Sequence, residues 1–272
     1  MNGNRCFKAG LLAPCLLAMA PAVLSAQDRP TSETANEQAL MATEKSSKGP
    51  AEHAPRKKLP PREDKKFFNG VDLTGWEGSE KYWKVEDGAI VGNNKEKLTK
   101  NLFIWSSVPV EDFHLVVDVK IEPWNRNAGI QFRSSKIGDG QFGARGYQAD
   151  AGGGFWGRLF HEHGRNHLDN ENYGYAASRR DDWNRYEILA VDDCIWATVN
   201  GVLSISVKDP KGERSGHIAF QVHAGKEQTA RYKVMKLIHN PKVQLAGYTE
   251  KQLRAALRKP IDQVVRGNDD DH

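Results

Sequence analysis

The stretch FHLVVDVKI, residues 113–121, repeats with a period of two. Phe113, Leu115, Val117, Val119 and Ile121 alternate with His114, Val116, Asp118 and Lys120. Side chains of an extended chain point alternately to opposite faces, so this stretch is a half-buried strand with an apolar inner face. The same period extends outward in both directions. Upstream, 82–86 and 89–92 flank Asp87-Gly88, and downstream 195–199 and 202–207 flank Asn200-Gly201. Both dipeptides suit a two-residue hairpin turn, whose central residues need positive φ. Strands are also expected over 183–191, 216–224 and 230–238. No amphipathic helix of any length interrupts them, which predicts an all-β fold, an antiparallel β-sandwich or jelly roll.

The chain has 272 residues, and its aromatic residues bound the core. Of its 24 Phe, Tyr and Trp residues, 22 lie between Phe67 and Tyr232, so one large core is expected there. Residues 1–26 carry Arg5 and Lys8 ahead of an apolar stretch too short to span a bilayer, the pattern of a cleaved export signal. Residues 27–65 contain five prolines and no aromatic residue; such a segment buries too little apolar surface to offset its ordering entropy and is expected to be a linker. The folded domain is expected over 66–240 and an extension over 241–272. Within the extension, Thr249 and Gln252 form a capping-box pair at the start of one short helix that Pro260 ends.

Processing would change the charge and cysteine balance. Removing Arg5 and Lys8 from 39 basic residues leaves 37 against 35 acidic ones, a formal +2 that argues against a nucleic-acid partner. Removing Cys6 and Cys15 leaves Cys194 alone, so no internal disulfide is expected. An exported protein, periplasmic or at the cell surface, without a stable membrane span, follows from this reading. Several chemistries lack their motifs. No Gly-x-Gly-x-x-Gly stands between a strand and a helix, and no Gly-x-Ser-x-Gly, Cys-x-x-Cys or His-Glu-x-x-His occurs.

Three strands carry polar residues two apart, and so on one face: Gln131 with Arg133, Gln148 with Asp150, and Gln221 with His223. Ile130, Phe132, Phe220 and Val222 take the opposite, core-facing positions. The polar set is either an ordinary solvated face or a binding site; its amide, guanidinium and imidazole groups suit multi-point hydrogen bonding. The Gly-rich stretch 146–168, expected to be a loop, follows. In it Trp156 is either a core residue or a platform for a sugar ring, Glu162 and Arg165 add charge, and His161, His163 and His167 are weak candidates for a divalent metal site.

The motifs FNGVDLTGW (68–76), WKVEDGAIVG (83–92), DFHLVVDVKI (112–121), NAGIQFRSS (127–135), GYQAD (146–150), DDWNRYEI (181–188) and GHIAFQVHAG (216–225) follow one another in this order. Together they resemble the 3-keto-disaccharide hydrolase domain family over residues 66–240. The resemblance implies a concanavalin-A-like jelly roll that cleaves glycosides already oxidised at C3, by elimination and hydration across C1 and C2. It implies a glycoside or oligosaccharide substrate and a separate sugar C3 oxidoreductase, since no nicotinamide (NAD) site is present. That chemistry needs a base, an acid and an electrophile. His223 is expected as base, Arg133 as electrophile, and Asp150 and Glu162 as acid/base groups or metal ligands. Asn127, Gln131, Gln148, Trp156, Arg165 and Gln221 are expected to hold the sugar. Arg231-Tyr232-Lys233 departs from the family's usual aromatic-Arg-Asn run. A non-catalytic carbohydrate-binding module on the same sandwich is the alternative.

Overall fold

The computed structural model describes residues 59–261. The expected export signal, the linker up to residue 58 and the acidic end 269–271 lie outside the described residues. Two antiparallel sheets face each other. The eight-stranded sheet has the order β13 (Val202–Lys208), β12 (Cys194–Val199), β11 (Asn184–Val191), β6 (Phe113–Glu122), β15 (Gln228–His239), β4 (Ala89–Asn94), β3 (Trp83–Glu86), with β1 (Arg62–Glu63) also paired to β15. The seven-stranded sheet runs β10 (Asn166–Asp169), β9 (Leu159–Glu162), β8 (Ala144–Ala151), β7 (Ala128–Lys136), β14 (Gly216–Val222), β5 (Leu102–Val110), β2 (Trp76–Glu77). The architecture is the expected all-β sandwich. Sheet pairing begins at Arg62, opposite His239, inside the stretch expected to be linker.

Both hairpin turns form as their residues demand. Asp87 and Gly88 have φ of 52° and 71°, Asn200 and Gly201 of 49° and 83°; Asp, Asn and Gly tolerate this left-handed region best. Between the sheets, Phe113, Leu115 and Val117 of β6 meet Ile130 and Phe132 of β7 and Phe220 of β14. Phe220 lies parallel to Tyr232, ring centroids 4.3 Å apart, and stacks on Trp76 at 4.9 Å. Such aromatic layers bury large apolar areas, and apolar burial is the main stabilising contribution to folding.

The segment 241–261 covers the β11–β13 part of the second face of the eight-stranded sheet. Val243, Leu245 and Leu253 pack on Leu189, Val191, Cys194 and Trp196, and Trp196 Nε1 donates to the Leu253 carbonyl at 2.8 Å. The helix is Glu250–Ala255, shorter than its sequence pattern, with the Thr249–Gln252 capping box in place. Beyond it, Arg258 pairs with Asp169 at 2.5 Å and its backbone bridges to Val207. No helix among the described residues is long and apolar enough to cross a membrane.

Candidate active site

The second face of the seven-stranded sheet is polar. Register aligns two neighbouring rows across it: Phe103, Gln221, Gly129 and Asp150 in one, and Trp105, Ala219, Gln131, Gln148 and Phe160 in the other. Gln131, Gln148, Asp150 and Gln221 project from it as the two-residue spacing requires, yet all four are buried rather than solvated. The cause is curvature. Asn101, just before β5, donates to Glu162 Oε1 at 3.3 Å, although three strands separate β5 from β9. Only a strongly coiled sheet brings these margins together across its own face. At one end the β7–β8 connection also roofs the face: Trp105 Nε1 donates to Gly140 O at 2.7 Å, and Phe103 N to Gln141 O at 2.9 Å.

A chain of amides leads to the first carboxylate. Ser134 Oγ donates to Gln131 Oε1 (2.8 Å), Gln131 Nε2 to Gln148 Oε1 (2.9 Å), and Gln148 Nε2 to Asp150 Oδ1 (2.9 Å). Gly129 is required here, because a Cβ at that position would meet the Gln148 amide at 2.4 Å. Two core tyrosines pin the row from below. Tyr186 Oη donates to Asp150 O at 3.1 Å, and Tyr232 Oη donates to Gln221 O at 2.5 Å and Gly129 O at 3.2 Å.

Burial pushes the Asp150 carboxyl up to about 8, reinforced by the nearby Glu162 charge and opposed by the Gln148 hydrogen bond and by Arg158. Burial likewise raises Glu162 to about 7 against its bond from Asn101. Near neutral pH the pair therefore holds one proton more tightly than the other, the state that serves both as proton donor and proton acceptor. Around it stand polar atoms with capacity to spare. Both amide atoms of Gln221, Oδ1 of Asn127 and Nε of Arg158 are buried without a hydrogen-bond partner among the described residues. His223, following β14, donates from Nδ1 to Ala224 O at 2.8 Å, which makes Nε2 the proton-accepting nitrogen of the neutral ring.

Other expected residues go elsewhere. Arg133 sits at a bulge with φ 48°, which turns its side chain out of the row of Gln131. Its Nε and Nη1 donate to the carbonyls of Glu111 and Asp192, both at 2.8 Å, and Nη2 to Asp112 at 3.1 Å. The guanidinium is thus a clamp between two turns, and the expectation of an electrophile there is corrected. Trp156 is a core residue: it stacks on Tyr186 at 6.2 Å and belongs to the main cluster. Arg165 grips buried Asp209 through both terminal nitrogens, and Asp209 also accepts from Tyr147 Oη at 2.5 Å, which keeps Arg165 from the sugar-holding role.

The stretch 146–168 contains strands β9 and β10 instead of one loop, and its three histidines diverge. His161 faces inward, its Nε2 2.7 Å from Glu213 Oε2. His163 is exposed in the turn, and His167 meets the Phe160 ring edge at 5.0 Å. No group of three or more His, Cys, Asp or Glu side chains able to hold a metal forms among the described residues. Arg158, Asn101 and Phe160 were missed from the sequence. Arg158 and Phe160 share the two-residue spacing of Glu162, a signal that would have found them; nothing local marks Asn101. Beside Asn127, the exposed Tyr175 stacks on Trp124 at 6.4 Å, with Arg180 4.5 Å from the other ring.

Among solved structures, a Parabacteroides distasonis protein provisionally described as a glycosyl hydrolase is 20% identical, with a TM-score of 0.46 over 64% of this chain and 92% of that one. The carbohydrate binding module CBM66 of Bacillus subtilis is 18% identical, with a TM-score of 0.45 over 61% and 97%. An endo-beta-1,3(4)-glucanase of family GH16 is 13% identical, with a TM-score of 0.41 over 69% and 87%. No curated protein matches significantly. Residues 63–238 match the family described as 3-keto-alpha-glucoside-1,2-lyase-like domain. This chain belongs to that family, and its domain is carbohydrate-active.

Proposed function

We propose that this domain cleaves 3-keto-glycosides by elimination across C1 and C2 followed by hydration. The observation that carries the reading is the pair of buried Asp150 and half-buried Glu162, on one face of one sheet and both raised toward neutral pH. A ketone at C3 acidifies the C2 hydrogen, so a carboxylate of this basicity is adequate to remove it. Glu162, the more acidic of the two, takes the C2 proton, and its electron pair becomes the enolate of the C3 oxygen. Collapse of the enolate restores the C3 ketone, forms the C1–C2 double bond and expels the leaving oxygen from C1. Asp150, the group that keeps its proton, protonates that oxygen. Water then adds to C1 and a proton returns to C2, giving the free 3-keto sugar. Arg158, beside Asp150, supplies the cation for the enolate oxygen. Gln221, Gln131, Gln148 and Asn127 hold or align the sugar hydroxyls, and His223 borders them.

The substrate arrives already oxidised, which calls for a separate C3 oxidoreductase, and the export signal expected over residues 1–26 would put the work outside the cytoplasm. Incubation with a 3-keto-glucoside in deuterated water tests the proposal. Aglycone release with deuterium at C2 of the product, and no release from the unoxidised glucoside, is expected. Sugar binding without release from either compound would leave a carbohydrate-binding module instead. Running the same assay with EDTA reads whether a divalent ion takes part.

A further inference from the structure

Next to the candidate site lies an open cleft of about 950 Å³ between β3, β4 and the β4–β5 connection. That is room for a short oligosaccharide. Six cations line it (Lys81, Lys84, Lys95, Lys97, Lys100 and Arg231) against three carboxylates. Part of this charge is internally balanced. Arg231 bonds Glu86 at 2.6 Å and Glu122 at 2.9 Å, and Lys84 bonds Glu86 at 2.8 Å. Lys95, Lys97 and Lys100 are exposed and form no ion pair with a described residue. Tyr82 and the exposed Phe142 add apolar surface to the same walls. Backbone links tie the cleft wall to the site. Leu98 pairs with Gly225 through two backbone bonds of 2.9 Å, and Lys100 precedes Asn101, which bonds Glu162.

We propose that this cleft binds the carboxylate-bearing sugars of an acidic glycan, with Lys95, Lys97 and Lys100 as the anion-recognising side chains. Ammonium groups without carboxylate partners, in a cleft that also holds Tyr82 and Phe142, match a uronate chain, whose rings are apolar on their faces and anionic at their rims. The choice of a glycan rests on the domain being carbohydrate-active, and the test reads binding without turnover.

The full chain would be titrated calorimetrically with a hexauronate, with neutral cellohexaose and with a short DNA duplex, at low and high salt. Expected is binding of the hexauronate at least about tenfold tighter than of cellohexaose, weakened by salt. The triple variant K95A/K97A/K100A should lose at least about tenfold of that affinity at an unchanged unfolding midpoint, and the triple Lys→Arg variant should keep it. No hexauronate binding, equal affinity for cellohexaose or DNA, or an undiminished triple Ala variant overturns the proposal. Hexauronate binding with no cleavage of any 3-keto-glucoside overturns only the lyase reading; cleavage without such binding overturns only this one.

Discussion

Each sheet buries part of its second face, and the two do so with opposite chemistries. On the eight-stranded sheet, Leu189, Val191 and Trp196 meet Val243, Leu245 and Leu253 of the C-terminal segment. That cover is largely apolar, and the indole Trp196 Nε1 is satisfied by the Leu253 carbonyl. On the seven-stranded sheet, the buried side chains are Gln131, Gln148, Asp150 and Gln221, with Glu162 closing over them. Burying apolar surface stabilises the fold, whereas burying carboxyl groups costs free energy unless they take up protons. The first face holds the domain together; the second stores destabilising groups where a sugar could use them.

This contrast can be broken at several points, the largest first. Glu162→Gln and Asp150→Asn should each lower turnover of a 3-keto-glucoside by about 10³-fold, the scale of a lost general acid or base, while unfolding midpoints hold or rise. A variant that turns over at the wild-type rate would remove that carboxyl from the mechanism. On the other face, Trp196→Ala should cost about 3–5 kcal/mol of stability, read by denaturant unfolding, with cleavage per folded molecule retained.

The pH dependence sharpens the comparison further. Asp150 has a folded pKa of about 8 against an ordinary 3.8, so the folded state binds the extra proton. Its contribution is fully present below about pH 4 and is lost as pH rises through about 8, at up to about 1.4 kcal/mol per unit. Asp150→Asn should flatten that decline and gain stability relative to wild type at pH 8, checked by unfolding midpoints across this range. A wild-type curve that stays flat from pH 5 to 8 would deny that Asp150 is protonated in the folded state. The smallest effect belongs to the apolar cover: Thr249→Ala breaks the capping box and should cost about 1 kcal/mol, again with turnover unchanged.

How legible the site was depended on how local each signal is. The positions of Gln131, Gln148, Asp150 and Gln221 on one face follow from a period of two, and the structure places them there. Arg133 obeys the same spacing on paper and breaks it in space, because a bulge with φ 48° changes the parity of β7. Trp156 could be assigned to core or surface only once Tyr186 was known to lie beneath it. Asn101 comes to Glu162 from the far margin of a coiled sheet, a contact that no neighbouring residue announces.

What the amino-acid order determined by itself is the antiparallel all-β class, the Asp87-Gly88 and Asn200-Gly201 turns, the capping box and the family. Each of these depends on residues a few positions apart, or on an ordered series of such motifs. The tertiary structure alone decided that the polar face is buried, that burial raises the pKa values of its two carboxyl groups, that Arg133 ties turns together, and that residues 241–261 cover part of a sheet. Those properties arise from sheet coiling and from dehydration by distant segments, and electrostatic free energy depends on what surrounds a charge in space rather than along the chain.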